Sequence, residues 1–169
     1  VAFKVAQLLI EKGWSIKQDI IRKALSLTKW PGRLEIIDFE NKKILVDSAH
    51  NSSAAKVLSL ERENWPNEEK GVYWIIGVQK QKNIILIIRN LIKSIDKVLL
   101  VPVPNQESWS LSDISKISDH KLDNFIEFTN FKEAFYYLKK LEEWPRCMPV
   151  LTGSIFLVSE FIKFSKTNQ

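Results

Sequence analysis

Four polar residues that could take part in chemistry follow an apolar segment, residues 43–46, and precede a helical pattern. They are Asp47, Ser48, His50 and Asn51, in the run DSAHN. A carboxylate at the end of a strand can accept hydrogen bonds from ribose hydroxyls, and the start of the next helix favours an anion. His50 can donate to a phosphate or carboxylate, or transfer a proton. Aspartate and asparagine are also common in loops and helix caps, so a structural role stays open.

Arg33 is a second candidate, because it follows a Pro-Gly turn in the run WPGR. A guanidinium held at such a turn can bind a phosphate or carboxylate through two hydrogen bonds. An isolated arginine is more often a solvated surface residue. Taken alone, the pattern therefore favours the surface role.

A third candidate is the TGS motif at residues 152–154, between an apolar strand and the last helical pattern. Gly153 allows the backbone to approach a ligand closely, and the hydroxyls and free N–H groups at a helix start suit an anion. An ordinary helix cap by Ser154 explains the same pattern equally well. The loop at residues 77–83, GVQKQKN, has a comparable position, but its two lysines are more typical of a solvated loop.

The sequence lacks the motifs of several other kinds of site. No GxxxxGK[ST] or GxGxxG run occurs, so this chain alone cannot hold a triphosphate or a dinucleotide in those ways. Cys147 is the single cysteine, which excludes an internal disulfide, and no His/Cys cluster has zinc-site spacing. No metal site is therefore predicted. His120 lies in a polar stretch and is interpreted as an exposed residue. No pattern in the sequence supports a catalytic triad.

The composition of the 169 residues, 45% hydrophobic and 27% charged, is typical of a folded domain with a sizeable core. The net charge of +5 is concentrated in residues 1–30. A nearly neutral body argues against nucleic-acid binding, and no apolar run reaches the ~18 residues of a membrane span. The single cysteine favours a reducing, cytoplasmic setting. Because the chain begins with Val1, we expect a piece excised from a longer protein.

The spacing of apolar residues predicts helices that alternate with strands. Helices are expected at residues 1–12, 16–27, 52–62, 83–95, 111–118, 131–144 and 154–164. Strands are expected near residues 34–39, 43–46, 72–78, 97–102, 125–128 and 147–151, the first two forming a hairpin. Strands that are apolar on both faces predict a mainly parallel sheet covered on both sides. Such sheets bind ligands at the carboxyl ends of their strands, where Asp47, His50 and Ser154 fall.

Four runs, in this order, carry a resemblance to a known family: WPGRLE, ILVDSAHN, WIIGVQKQKN and VLTGSIFLVSE. They resemble the C-terminal part of folylpolyglutamate synthase/dihydrofolate synthase, within the Mur ligase superfamily, and the resemblance covers essentially the whole chain. It implies that residues 1–30 are the helical tail of a central ATP-binding domain and that residues 31–169 are the C-terminal domain. The implied fold is α/β and Rossmann-like, with three layers. It has a mainly parallel six-stranded sheet and one antiparallel edge element, and two helices precede it.

The resemblance further implies an ATP-dependent ligase. In this family a carboxylate is phosphorylated to an acyl phosphate, which the amine of glutamate then attacks. The implied partners are ATP with Mg²⁺, L-glutamate, a folate or dihydropteroate, and the central domain, which carries the P-loop and most magnesium ligands. The 169 residues alone are expected to be inactive and to hold no cofactor. Nucleic acid and membranes are not expected partners.

The resemblance also implies roles for four residues. Arg33 matches the arginine of the family's PGR motif, which contacts ATP phosphate and contributes to catalysis. Asp47 matches the first residue of the D-x-A-H-N motif and is expected to contact the nucleotide, at the ribose. His50 matches the histidine of that motif and is expected near the acyl phosphate or the incoming glutamate, in a catalytic role. Ser154 matches the serine of the T-G-S motif and is a candidate for glutamate binding.

The chain departs from the family pattern at three points. Ser48 stands where glycine or another small residue is usual, and Ser52 stands where proline often follows the asparagine. Gln81-Lys82-Asn83 replaces a frequent Asp-Lys-Asp, which leaves Lys82 a candidate without neighbouring carboxylates. The alternatives are a cell-wall Mur ligase and a non-catalytic binding module. The sequence leaves open whether the parent adds the first glutamate to dihydropteroate, later ones to folates, or both.

Overall fold

A computed structural model describes residues 1–118 and 122–167, so His120 lies outside the described residues. The chain divides into two compact units, Val1–Pro31 and Gly32–Gln169. The first unit contains helix α1 (Ala2–Glu11) and helix α2 (Gln18–Leu27). Within the described ranges, no helix has the length and apolar character needed to cross a membrane.

The second unit is built on one six-stranded sheet. Its strands are β1 (Glu35–Phe39), β2 (Lys42–Asp47), β3 (Tyr73–Gly77), β4 (Lys97–Leu100), β5 (Phe125–Glu127) and β6 (Val150–Gly153). Their order is β1-β2-β6-β3-β4-β5, and only the β1–β2 pairing at one edge is antiparallel. This arrangement confirms the predicted mainly parallel sheet with one antiparallel edge element.

The hairpin between β1 and β2 turns through two residues, Glu40 and Asn41. Both have positive φ angles, 50° and 60°. Two successive residues with positive φ form the turn whose twist matches that of the flanking strands, and asparagine tolerates this conformation well. The pairing runs from Phe39 opposite Lys42 to Glu35 opposite Val46, so the hairpin returns the chain beside its own start.

Helices cover both faces of the sheet. One face carries α3 (Ser52–Arg62), α4 (Ile84–Leu91) and α5 (Leu111–Ile117), and the other carries α6 (Phe131–Lys139) and α7 (Ile155–Thr167). Successive strand residues point to opposite faces. Trp74 and Ile76 accordingly pack with the first group of helices, whereas Ile75 packs with the second, and all three are fully buried. This explains why the strands are apolar on both faces.

The carboxyl ends of β2, β6, β3, β4 and β5 meet at one edge of the sheet because these strands are parallel. From β2 the chain continues into α3 on one face, whereas from its neighbour β6 it continues into α7 on the other. Loops that leave neighbouring strands toward opposite faces open a crevice, which is where open α/β sheets bind their ligands.

Several element boundaries differ from the sequence prediction. Helix α6 ends at Lys139, five residues before the predicted end at 144, α7 continues to Thr167, three residues beyond 164, and β6 begins at Val150 rather than at 147.

Two further differences have identifiable reasons. Strand β6 ends at Gly153, because Thr152 pairs with Asp47 and Ile76, and Gly153 pairs with Gly77. Helix α4 ends at Leu91, four residues early, because the carboxylate of Asp96 accepts the N–H of Lys93 at 2.8 Å and draws the chain out of the helix. Contacts between distant residues override the local pattern in both places.

A buried ion pair joins the helices to the amino ends of β3 and β4, at the edge opposite the crevice. The guanidinium of Arg62 donates two hydrogen bonds of 2.7 Å to the carboxylate of Asp96, and neither side chain is accessible to solvent. The same carboxylate accepts the backbone N–H of Val72 at 2.9 Å and the indole N–H of Trp74 at 3.1 Å. Because nearly every lone pair is used, the charge of Asp96 is well compensated in the interior.

Candidate functional site

Asp47 is the last residue of β2 and lies at the crevice edge, beside β6. Its side chain is buried, and Oδ2 accepts the backbone N–H of Leu34 at 3.0 Å. Burial raises the pKa of the Asp47 carboxyl above its ordinary value, and three smaller influences oppose this: the N–H of Leu34, the charge of Arg33 and the N–H of Ala49. Burial therefore favours the protonated form of this carboxyl, whereas the two N–H groups and the charge of Arg33 favour the ionised form, which accepts hydrogen bonds from ligand hydroxyl groups.

The turn before β1 wraps around the end of β2. Leu34 has a φ of 46°, an uncommon value for a branched residue, and its N–H is the donor to Asp47. Gly32 has a φ of 68° and its N–H donates to the carboxylate of Glu35 at 2.8 Å. Glycine adopts such a φ without strain, whereas the strained backbone at Leu34 persists only where the surroundings enforce it, and strain of that kind is frequent at functional sites.

Arg33 lies on this turn with an exposed side chain. One guanidinium N–H donates to the carbonyl of Ser48 at 3.4 Å, and its charge acts on Asp47. A guanidinium has five N–H donors, so most of its capacity remains directed to the surface. The arrangement gives the carboxyl end of β2 an exposed cation beside a buried carboxylate.

Ser48 fixes the turn to the loop. Its backbone N–H and its hydroxyl both donate to the carbonyl of Gly32, at 2.9 and 3.1 Å. Its own carbonyl accepts from Arg33 and from Nδ1 of His50. Ser48 is one of the four polar residues of the DSAHN run and a departure from the family pattern, but neither observation predicts this role in holding the turn. The signal available was a hydroxyl directly beside the candidate aspartate.

The ring of His50 is held in one orientation by the loop. Nδ1 lies 2.9 Å from the carbonyl oxygen of Ser48, and because a carbonyl only accepts, Nδ1 carries the proton. Nε2 is then an acceptor, 3.5 Å from the side-chain nitrogen of Asn51. The oxygen of Asn51 accepts the N–H of Ala54 at 2.9 Å and begins α3. His50 therefore presents an unprotonated nitrogen beside a helix start.

Ser154 follows β6, the strand that pairs with β2. Its backbone N–H donates to the carbonyl of Gly77 at 2.8 Å, and its hydroxyl accepts the N–H of Phe156 at 3.3 Å. The side chain is buried and caps the start of α7. Because Thr152 pairs with Asp47, Ser154 lies one strand across from Asp47 and two residues further along.

The loop after β3 is fastened to the loop after β4. The N–H of Lys80 donates to the carbonyl of Glu107 at 2.9 Å, and the indole N–H of Trp109 donates to the carbonyl of Lys82 at 2.9 Å. The ammonium of Lys80 also lies 4.4 Å from the centre of the Trp109 ring and pairs with Asp113. The backbone N–H and the ammonium group of Lys80 are therefore both engaged within the domain. Lys82 is half-buried at the edge of the crevice.

The crevice edge thus gathers the four predicted site residues from three separate parts of the sequence. Arg33, Asp47 and His50 share contacts through Ser48 and Leu34, whereas Ser154 lies at the end of the neighbouring strand. Among residues 1–118 and 122–167, no group of three or more His, Cys, Asp or Glu side chains is arranged to hold a metal ion.

The meeting of β3 and β6 requires glycine at position 153. Gly153 has a φ of 106°, and a Cβ there would lie 2.2 Å from the carbonyl oxygen of Gly77. We expect Gly153→Ala to lower the free energy of unfolding by more than the about 1–3 kcal/mol that backbone strain alone costs. The measurement is urea unfolding at neutral pH.

Gly13→Ala is a matched control for this prediction. Gly13 has a φ of 90°, but a Cβ there would meet no atom within 4 Å. It therefore reports strain without a collision. An equal loss of stability in the two variants would contradict the close approach of β3 and β6.

The buried carboxyl of Asp47 makes a second prediction, for pH dependence. Its pKa is raised by burial, so the folded chain binds this proton more tightly than the unfolded chain. The contribution of that proton to stability is complete below the unfolded-state pKa and is lost as the pH rises through the folded-state pKa. We expect the wild type to lose stability relative to Asp47→Asn across this range, measured as free energies of unfolding at a series of pH values. A constant difference between the two proteins would be inconsistent with a raised pKa.

Comparison with known proteins adds independent findings. A family model described as "Dihydrofolate synthetase, C-terminal domain" matches residues 33–164. A curated dihydrofolate synthase/folylpolyglutamate synthase from Buchnera aphidicola subsp. Schizaphis graminum is 27% identical over 154 residues, which cover 91% of this chain and 36% of that protein. The chain therefore spans about a third of the length of this relative.

Solved structures show the same fold. A bifunctional folylpolyglutamate synthase/dihydrofolate synthase from Yersinia pestis, complexed with AMPPNP and Mn ion, superposes with a TM-score of 0.75 at 17% identity. The match covers 94% of this chain and 37% of that one. A bifunctional enzyme with Mn, AMPPNP and L-glutamate bound gives a TM-score of 0.72 at 17% identity, with the same coverage of both chains.

Proposed function

The chain belongs to the family of dihydrofolate synthetase C-terminal domains, and on that premise we propose that it is the C-terminal domain of an ATP-dependent ligase. The longer protein adds glutamate to a folate or to dihydropteroate through an acyl phosphate. The observation that carries this proposal is the gathering of Arg33, Asp47 and His50 at the carboxyl end of β2, beside the strand that leads to Ser154.

The proposed reaction has two steps. A carboxylate oxygen of the pterin substrate attacks the γ-phosphorus of ATP, and ADP leaves. The amine nitrogen of glutamate then attacks the acyl carbon, a proton is lost from that nitrogen, and phosphate leaves. Such transfers depend mainly on positioning and on groups that compensate the developing negative charge.

Arg33 and Asp47 are proposed to act on the nucleotide. The guanidinium of Arg33 is exposed and has donors to spare, which suits an ATP phosphate. The carboxylate of Asp47 is held at the crevice edge by Leu34 and accepts from the ribose hydroxyls. The nearby charge of Arg33 favours the ionised form that this contact needs.

His50 and Ser154 are proposed to act on the glutamate side. With Nδ1 committed to the carbonyl of Ser48, Nε2 of His50 can accept a proton from the attacking amine. Ser154 precedes α7, so the positive end of that helix favours the carboxylates of glutamate or the acyl phosphate.

The rest of the ligase is proposed to come from a central domain, and residues 1–30 are proposed as its helical tail. Two features support this. The chain has no P-loop motif, and the two helices of the first unit leave apolar side chains such as Phe3, Val5 and Leu8 exposed. Mg²⁺ is proposed to bind the ATP phosphates and residues of the central domain.

The proposal predicts a contrast between two proteins. The longer chain should form ADP only in the presence of glutamate and of folate or dihydropteroate, and the choice of pterin will define its specificity. Residues 1–169 alone should bind ATP weakly and hydrolyse none. Calorimetry and a phosphate-release assay measure both properties. Micromolar ATP affinity or steady phosphate release by residues 1–169 would contradict the proposal that ATP binding and hydrolysis require the central domain.

A further inference from the structure

Thr152 is a buried polar residue whose hydroxyl the fold does not use. Its side chain is completely inaccessible to solvent. Its Oγ1 has no hydrogen-bond partner among residues 1–118 and 122–167. A buried hydroxyl without a partner costs free energy, and valine, which has nearly the same shape, would not incur that cost. A hydrogen-bond acceptor within reach of this hydroxyl would remove that cost.

The register of the sheet indicates what that partner is. Thr152 lies between Asp47 on β2 and Ile76 on β3. Val150, two residues earlier, packs with α3 and α4, so Thr152 points to this same face. Side chains of paired residues on parallel strands share a face, and neighbouring strands are about 4.8 Å apart. Of the two paired side chains, only the carboxylate of Asp47 can accept a hydrogen bond.

The other polar groups of the loop are already engaged. The hydroxyl of Ser48 donates to Gly32, and Nδ1 of His50 donates to Ser48. Asp47 receives the N–H groups of Leu34 and Ala49, but an ionised carboxylate has about four acceptor positions. Asp47 therefore retains capacity for one further donor from the sheet.

We propose that Thr152 is a positioning residue for Asp47. When a nucleotide engages the carboxylate of Asp47, the hydroxyl of Thr152 donates to the same carboxylate from β6 and fixes its orientation. The charged and titratable groups around Asp47 are Arg33 on the preceding turn and His50 on its own loop, whereas the strands on its other side contribute the uncharged Thr152 and Ile76. This inference rests on the proposed function for its ligand, a nucleotide.

Two variants of the longer chain test the role. Thr152→Val removes the hydroxyl and keeps the shape, so we expect a KM and a Kd for ATP about tenfold higher, with kcat unchanged and an unfolding temperature without nucleotide that is equal to or above that of the wild type. Thr152→Ser keeps the hydroxyl and should restore both constants to near wild type. Ile76→Val removes a methyl group from the paired residue on β3 and controls for packing.

The outcomes separate this inference from the proposed function. Wild-type KM and Kd in Thr152→Val, in an active ligase, would overturn the positioning role and leave the function intact. If the longer chain binds ATP but forms no product, the function fails, and the Kd of Thr152→Val still decides the inference. Failure of the wild type to bind ATP at all would contradict both. A lower kcat or a lower unfolding temperature with an unchanged Kd would assign Thr152 a structural role.

Discussion

In the proposed longer ligase, Arg33→Ala should lower kcat/KM for ATP by a factor that corresponds to about 2–4 kcal/mol of transition-state stabilisation. The guanidinium lies at the surface beside Asp47 and makes one long hydrogen bond, 3.4 Å, to Ser48. Arg33→Ala therefore removes a cation that can bind the phosphate, but it removes very few contacts that stabilise the fold. Steady-state kinetics with ATP varied, at saturating glutamate and pterin, measures the loss.

Lys43→Ala is the matched control for Arg33→Ala. Lys43 is an exposed cation in β2. It lies opposite Asp38 in the register of the hairpin, away from the crevice edge. Its removal changes the net charge equally, so it should leave kcat/KM near wild type. Equal losses of kcat/KM in the two variants would mean that Arg33 acts only through the general attraction of positive charge for ATP. A wild-type kcat/KM in Arg33→Ala would contradict its proposed catalytic role.

The fold was largely predictable because its pattern is local. Apolar strands that alternate with amphipathic helices specify a covered parallel sheet, and the six predicted strands all occur. The errors lie where distant residues meet. Thr152 and Gly153 look like loop residues, yet they extend β6 because they pair with Asp47 and Gly77.

The candidate site residues can be proposed from the sequence, but the groups that hold their side chains in place cannot. Strand ends and the resemblance to a known family directed attention to Arg33, Asp47, His50 and Ser154. The hydrogen bonds that hold them come mainly from backbone groups, such as the N–H of Leu34 and the carbonyls of Ser48 and Gly32. Backbone donors and acceptors are the same in every residue, so a sequence pattern does not reveal which of them will meet.

The buried pair of Arg62 and Asp96 was also outside the reach of sequence reasoning. The two residues are 34 positions apart, and each stands in a stretch that reads as exposed helix or turn. Their burial follows from the packing of α3 and α4 over the amino ends of β3 and β4. For Arg33 we expect an effect on kinetics and little effect on stability. For the pair of Arg62 and Asp96 we expect a large effect on stability.

We expect Asp96→Ala to lower the free energy of unfolding by about 3–5 kcal/mol, because it removes the only fully buried counter-charge described for the inaccessible guanidinium of Arg62 and leaves it with the partly exposed Glu68. The substitution also removes the acceptor for the indole N–H of Trp74 and the N–H of Val72. Such a loss is a large share of the about 5–15 kcal/mol that holds an ordinary domain folded. Urea unfolding at neutral pH measures it.

Glu68→Ala provides the comparison for Asp96→Ala, since Glu68 pairs with the same Arg62 at 3.0 Å but is partly exposed. Water can replace this carboxylate, so its removal should cost much less. In the longer ligase, the Asp96 variant should keep the wild-type KM for ATP in the fraction that stays folded, because the pair lies at the edge opposite the crevice. A loss below about 1 kcal/mol for Asp96→Ala would mean that Arg62 finds another partner or reaches water, and that the pair does not hold the sheet together.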